Sequence, residues 1–184
     1  MKTYNVTIQG VSPLLMNRPS AMIGDISKDK KAFKDDPRGM AEDKLYINNG
    51  ELYIPSTHIQ GSLVEAGKAK KVVGKGKSTY SKIVGYAVTI EPFEIVHKIQ
   101  KWEVFSVLAV NPMTKGRNLL HRPILKKWEA DFRVTFDESE VQESIMKELL
   151  DIAGRIAGIG DWRPSKKGPY GKFQVTSWKE LKEK

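Results

Sequence analysis

Apolar and polar residues alternate along Lys2–Gly10, where Tyr4, Val6 and Ile8 stand between polar neighbours, and this predicts a half-buried strand. The segment "KLYINNGELYIP" predicts a short hairpin turning at Asn49-Gly50, with Tyr46 and Ile47 opposite Leu52 and Tyr53. From Pro55-Ser56-Thr57 the period changes: Ile59, Leu63 and Ala66 recur at helical spacing, predicting a helix through about Lys71. A Gly/Lys loop follows, and then "IVGYAVTIEPFEIV" and "KWEVFSVLAV" read as strands from their β-branched and aromatic content. Pro112 to Lys127 reads as a basic loop, and "WEADFRVTF" as a strand alternating Trp128, Ala130, Phe132, Val134 and Phe136. The clearest helix begins at Asp137, with Glu140 as a capping partner, and carries a stripe of Val141, Ile145, Leu149, Ile152 and Ile156. Gly158 and Gly160 stop it, and "KFQVTSW" is the last strand.

Without insertions the order is strand, helix, strand, strand, helix, strand. That predicts an α+β domain of ferredoxin-like or RRM-like β-α-β-β-α-β topology, an antiparallel sheet with two helices on one face. The expected organisation is one domain over residues 1–184 with insertions at about 17–44 and 93–126; the tract from Gly24 to Lys44 is too polar and too long for an ordinary connection. Topology of this kind serves many activities, so function has to come from side chains.

Charge narrows the choice. The 31 Lys and Arg against 22 Asp and Glu give +9, and 15 of those cations fall in residues 66–82, 112–127 and 162–172, which contain no acid. The rest of the chain is net negative. If the three segments converge in space, a basic surface lies on an acidic body and a polyanion is the expected partner. With no cysteine, disulfides, thiolate nucleophiles and the usual structural zinc sites are excluded. No apolar run of about 18 residues and no signal-like start occur, so the expectation is a soluble, cytoplasmic protein without a membrane partner. "GKGKST" is not a Walker loop, because Lys71 stands where its first glycine belongs and a helix precedes it. His58, His97 and His121 lack metal-ligand spacing, so neither a metal nor another cofactor is expected.

The stretch "GIGDWRPSKKGPYGKF" joins the last helix to the last strand. Gly158, Gly160 and Gly168 allow unusual backbone geometry, while Pro164 and Pro169 stiffen the loop. Arg163, Lys166, Lys167 and Lys172 supply charge, and Trp162 and Tyr170 supply faces on which unstacked bases can lie. The same residues also suit a plain helix cap with two packed aromatics and solvated lysines. Further candidates for nucleic-acid contact are Lys68, Lys70 and Lys71 at the first helix end, and Arg117, Arg122 and Lys126 in the second basic segment. His58 and His121 are the weak catalytic candidates, and Asp25, Asp29, Asp35 and Asp36 lie in the polar insertion.

Read together, the ends of the elements resemble the RAMP superfamily of CRISPR-associated RNA-binding proteins. Ile54, Pro55, Ser56, Thr57 and Gly61 match its Ile-Pro-x-Ser/Thr turn and the glycine near the start of the following helix. Gly158, Gly160, Arg163, Lys167, Gly168, Tyr170, Gly171, Lys172 and Phe173 match its glycine-rich loop, and "VTIQGVSPLLMN" is similar to its first strand and Pro-Leu turn. The insertions look more like those of subunits that line guide RNA than like processing nucleases, while the short length suits a diverged or phage-borne relative. The resemblance implies a single-stranded RNA-binding protein in a CRISPR-type complex, self-associating along the strand or docking on other subunits. Some relatives cut RNA with a histidine or with an aspartate after the first strand, so a metal-independent endoribonuclease is the alternative. A single-stranded DNA-binding protein of a phage or mobile element would have the same electrostatics.

Overall fold

A computed structural model describes residues 1–19, 36–110 and 115–181. In chain order the elements are β1 (Lys2–Gly10), β2 (Leu14–Leu15), α1 (Pro37–Glu42), β3 (Ile47–Asn48), β4 (Glu51–Pro55), α2 (Ser56–Ala69), α3 (Tyr80–Ala87), β5 (Val88–Glu91), β6 (Glu94–Val96), β7 (Glu103–Val110), β8 (Arg117–Leu125), β9 (Glu129–Phe136), α4 (Glu143–Ile152) and β10 (Phe173–Leu181). The protein is thus mixed α+β, with four α-helices among the described residues and antiparallel sheets.

The largest sheet has the order β10–β1–β9–β5. The alternation read in β1 and β9 is the reason they are central: Tyr4, Val6 and Ile8, with Ala130, Phe132, Val134 and Phe136, are all buried. They join Ile59, Leu63 and Ala66 of α2 and Met146, Leu149 and Leu150 of α4 in one apolar cluster. Tyr4 stacks on Phe136 and Trp178, and its hydroxyl donates to Glu143 at 2.9 Å, which fixes the start of α4 on the sheet. Two smaller sheets, β2–β8–β7 and β3–β4–β6, flank this body. The predicted hairpin turns at Asn49 and Gly50, both with positive φ, and Ile47 pairs with Leu52.

Three elements differ from the sequence reading. Residues 80–87 are helical, not extended: Tyr80, Ile83, Val84 and Ala87 lie at i, i+3, i+4 and i+7 and all four are buried. That period outweighs the β-branched content, and Gly67 lets α2 approach the Ser81 backbone where a Cβ would sit 2.6 Å away. Residues 117–125 are strand, not loop, pairing along the whole of β7 from Glu103↔Ile124 to Val110↔Arg117. Pro123 hid the strand; its carbonyl accepts from Met16 N–H just past β2, so its missing donor falls where pairing ends. Finally, α4 starts six residues late. Asp137 caps a local turn through Ser139 N–H at 3.0 Å, and Glu140 accepts from Tyr86 instead of closing a capping box. After α4 the chain widens into one π turn, Ala153–Ala157, which leaves Ile156 exposed and ends the predicted stripe at Ile152.

Of the polar insertion, Asp25, Asp29 and Asp35 lie outside the described residues. Asp36 caps α1, accepting from Gly39 N–H at 2.9 Å.

Candidate nucleic-acid interface

The loop after the π turn is closed on itself and stitched to the first strand's exit. Ile159 N–H donates to Gly171 O at 3.0 Å, Asp161 N–H to Leu15 O at 2.8 Å, and Gly171 N–H to Pro13 O at 2.8 Å. Lys172 N–H reaches Ser12 Oγ at 3.0 Å. Gly160 sits inside this seam with φ +77°, and a Cβ there would lie 2.6 Å from Leu15 O. Gly168 and Gly171 likewise have the backbones of Trp162 and Ile159 where a Cβ would go. The glycines therefore let the loop pack against its own backbone and against β2.

Within the loop Pro164–Lys166 forms a 3-10 turn, and Lys167 follows in the left-handed region with φ +61°. Arg163 braces the turn, donating from Nη1 to Gly160 O and from Nε to Ser165 Oγ, both at 3.0 Å. Lys166 and Lys167 point into solvent, and Trp162 is 43% exposed.

Two of the three basic segments meet here. Arg122 on β8 donates to Asp161 at 3.2 Å. Phe105, directly opposite Arg122 across the β7–β8 ladder, meets Tyr170 with ring centroids 5.7 Å apart, and Tyr170 meets Trp162 at 5.7 Å. Three rings thus run from the hairpin onto the loop with Arg122 and Arg163 beside them, an arrangement able to stack unpaired bases while holding their phosphates.

The third segment meets the loop only at its edge. Lys68 lines a cleft of about 360 Å³ with Glu65, Ile152, Ile156, Pro164 and Ser165, and pairs with Glu65 at 2.6 Å. Lys70 faces α4, pairing with Glu148, and Lys71 forms an isolated bridge with Thr79. Gly61 lies on α2 between His58 and Glu65 at helical spacing, with open space where a Cβ would be. Lys126 pairs with Glu103 at 2.7 Å, and Arg117 stands at the far end of β8, so neither joins the ring row.

The histidines are placed differently. His58 packs edge-on against Tyr46 at 5.1 Å, and burial, with a smaller push from Arg163, lowers its pKa to about 4. The neutral ring is therefore favoured at neutral pH, which makes His58 a weaker base than an exposed histidine and leaves it without the imidazolium proton a general acid would give. His121 is buried with Nδ1 2.7 Å from Ser106 Oγ, on the opposite face of the hairpin from Arg122. His97 is buried against Trp128.

Sequence reasoning missed Phe105 and the part played by Asp161. Phe105 is marked only by its pairing partner, since its neighbours "VFSVL" are uniformly apolar apart from Ser106. Among the described residues no group of three His, Cys, Asp or Glu is placed to hold a metal ion, and no helix is long and apolar enough to cross a membrane.

No protein-family model matches the chain, and no curated protein does. Solved structures do. A chain of the Type III-B Cmr-beta complex, in its cryo-EM structure bound to cognate target RNA, matches with a TM-score of 0.57 and 16% identity, over 98% of this chain. A chain of a Type IV-B CRISPR complex matches with a TM-score of 0.47 and 12% identity, over 95% of this chain and 89% of its own. This chain spans 61% of the length of the Cmr-beta chain. The Cmr-beta likeness is one of fold, and it agrees with the RAMP resemblance of the turn and loop motifs.

Proposed function

We propose that the protein binds single-stranded RNA as a subunit of a CRISPR-type ribonucleoprotein, gripping the strand with the loop at 158–172 and the adjoining face of the β7–β8 hairpin. The observation that carries this is the row Phe105–Tyr170–Trp162 with Arg122 and Arg163 alongside: stacking surface and phosphate-binding charge stand in one place. Segregated charge and the fold shared with a chain of an RNA-bound complex support the same reading. In this reading the domain is one ferredoxin-like unit over 1–184. The strand order β10–β1–β9–β5, with α2 between β1 and β5 and α4 between β9 and β10 in the chain, supports that, and 17–44 and 93–126 are its additions. Lys68, Lys166, Lys167 and Lys172 add phosphate contacts around the row.

The test is fluorescence anisotropy with labelled oligonucleotides at moderate salt. Arg163→Ala with Lys167→Ala weakens binding at least tenfold, and Trp162→Ala weakens it by the worth of one stacked base, about 1–3 kcal/mol. Unchanged affinity in both removes the loop from the site. Matched RNA and DNA oligonucleotides decide which polymer is bound, since only 2′-hydroxyl contacts separate them. Copies add side by side along a strand, so the bound mass rises with RNA length in mass photometry.

A further inference from the structure

Beside the ring row, cationic side chains crowd one seam. Arg122, with its side chain only 16% exposed, spends Nε on Asp161 Oδ2 at 3.2 Å. The backbone N–H of Arg18 donates to Lys44 O at 3.0 Å, which brings the exit of β2 against the turn that enters β3. The Arg18 guanidinium Nε is buried and has no hydrogen-bond acceptor among the described residues, an unfavourable state for a charged donor. Lys44 is held below the usual lysine range, first by burial and then by the Arg122 guanidinium, with Asp43 acting the other way. Tyr46, 7% exposed, has its phenol pushed up first by burial and then by Tyr53, with Arg18 acting downward and Asp161 upward. Met16 N–H donates to Pro123 O at 3.0 Å, which sets the exit of β2 beside Arg122, so Arg18, Lys44 and Arg122 share this seam, and the Asp161 carboxylate is bonded to one of its arginines.

Asp161 stands one residue before Trp162, at the edge of a basic segment that itself contains no acid. Its Oδ1 accepts from Trp162 N–H at 3.0 Å, so the carboxylate is held in place by backbone on one side and by Arg122 on the other.

We infer that the seam between Arg18, Lys44 and Arg122 is a seat for a phosphate oxyanion, and that the Asp161 carboxylate occupies it until the ligand displaces it. This rests on the RNA-binding reading above in taking the ligand as a phosphodiester of the strand whose bases lie on Trp162, Tyr170 and Phe105. The seat has the required chemistry: a guanidinium N–H with no acceptor among the described residues, a second guanidinium already orienting one anionic oxygen, and an ammonium whose charge burial and Arg122 disfavour. A phosphate entering there gives Arg18 its acceptor and relieves the repulsion between Lys44 and Arg122, while Asp161 turns to solvent.

The experiment has two arms. In the first, sodium pyrophosphate is titrated at constant ionic strength while the arginine Nε–Hε resonances are followed by NMR; shifts at Arg18 and Arg122 are expected, and RNA competes them away. In the second, RNA affinity is measured for Asp161→Asn, which keeps the Oδ1 acceptor for Trp162 N–H, and for Arg18→Gln. Asp161→Asn tightens binding about three- to tenfold because the competing charge is gone, and Arg18→Gln weakens it about tenfold. Thermal melting monitors folding in both variants. If neither variant changes either titration while the loop variants still lose RNA, the seat is wrong and the RNA reading stands. If pyrophosphate shifts both arginines but the loop variants leave RNA binding intact, the seat serves a free phosphate and the RNA reading falls. Weaker RNA binding by Asp161→Asn at an unchanged melting temperature overturns the competing role given to the carboxylate.

Discussion

Among the described residues, His97 is buried with neither ring nitrogen hydrogen-bonded, which ties its protonation to stability. It is 1% accessible, its ring lies edge-on to Trp128 at 6.3 Å, and neither ring nitrogen has a partner among the described residues. Burial lowers its pKa to about 4, against an ordinary value of 6.5. The folded state therefore binds fewer protons than the unfolded state between those values, so the stability this histidine contributes is present above pH 6.5 and is lost as pH falls toward 4. One such group costs at most about 1.4 kcal/mol per pH unit in that window. Urea unfolding at pH 7, 6, 5 and 4 should show falling stability, with the slope reduced by up to that amount in His97→Leu; an unaltered slope would mean that the ring finds a proton acceptor. His58, shifted the same way, leaves part of the slope in the variant. At this scale the loop's glycines were legible, but their reason was not. Unusual backbone geometry was expected at Gly160 but not the neighbour that requires it, Leu15 O, a contact between residues 145 positions apart in the chain. Gly160→Ala accordingly meets both the left-handed penalty of about 1–2 kcal/mol and the Leu15 carbonyl, and should lower the melting temperature before it affects any ligand.

The elements whose burial follows a simple period were legible: β1 and β9 with period two, and α2 through Ile59, Leu63 and Ala66. Where two signals compete the period and the composition part company. Residues 80–87 have strand composition and helix spacing, and spacing wins because α2 supplies the surface that Tyr80, Ile83, Val84 and Ala87 cover. In β8 the charged Arg117 and Arg122 and the internal Pro123 mask a strand that is fixed by long-range pairing with β7, which no local pattern reports. That pairing is also what brings Phe105 and Arg122 to the loop, so Phe105 went unseen and Arg122, though a candidate, had no place beside the loop until the pairing supplied it. Helix α2 carries a test of where the strand runs. Gly61 faces open space between His58 and the Glu65–Lys68 end of the cleft, so alanine there should stabilise the helix by about 0.5–1 kcal/mol. An RNA strand crossing α2 close to its backbone would make the same variant bind at least threefold more weakly. Higher thermal stability with unchanged RNA affinity would move the strand off α2 and confine it to the loop and hairpin.

Across the whole molecule the basic segments do not act as one block of charge. Lys68, Lys70, Lys126 and Arg122 are each paired with a carboxylate, and those pairs are screened or exchanged at little cost when they are exposed. Lys166 and Lys167 are exposed and have no ion pair among the described residues, so each can meet a phosphate and release cations condensed on the RNA. If about five cations of the loop and hairpin meet phosphates, the logarithm of the binding constant should fall with the logarithm of salt at a slope of about −3.5, the single-strand value being about −0.7 per contact. Replacing Lys166 and Lys167 together by alanine should bring that slope to about −2 while leaving the melting temperature in place, because neither side chain braces the loop as Arg163 does. Anisotropy titrations from 50 to 300 mM salt measure both slopes. A slope near −1 for the unaltered protein would leave most of the affinity to stacking on the ring row, and the concentration of fifteen cations in three acid-free segments would then have another cause than RNA binding.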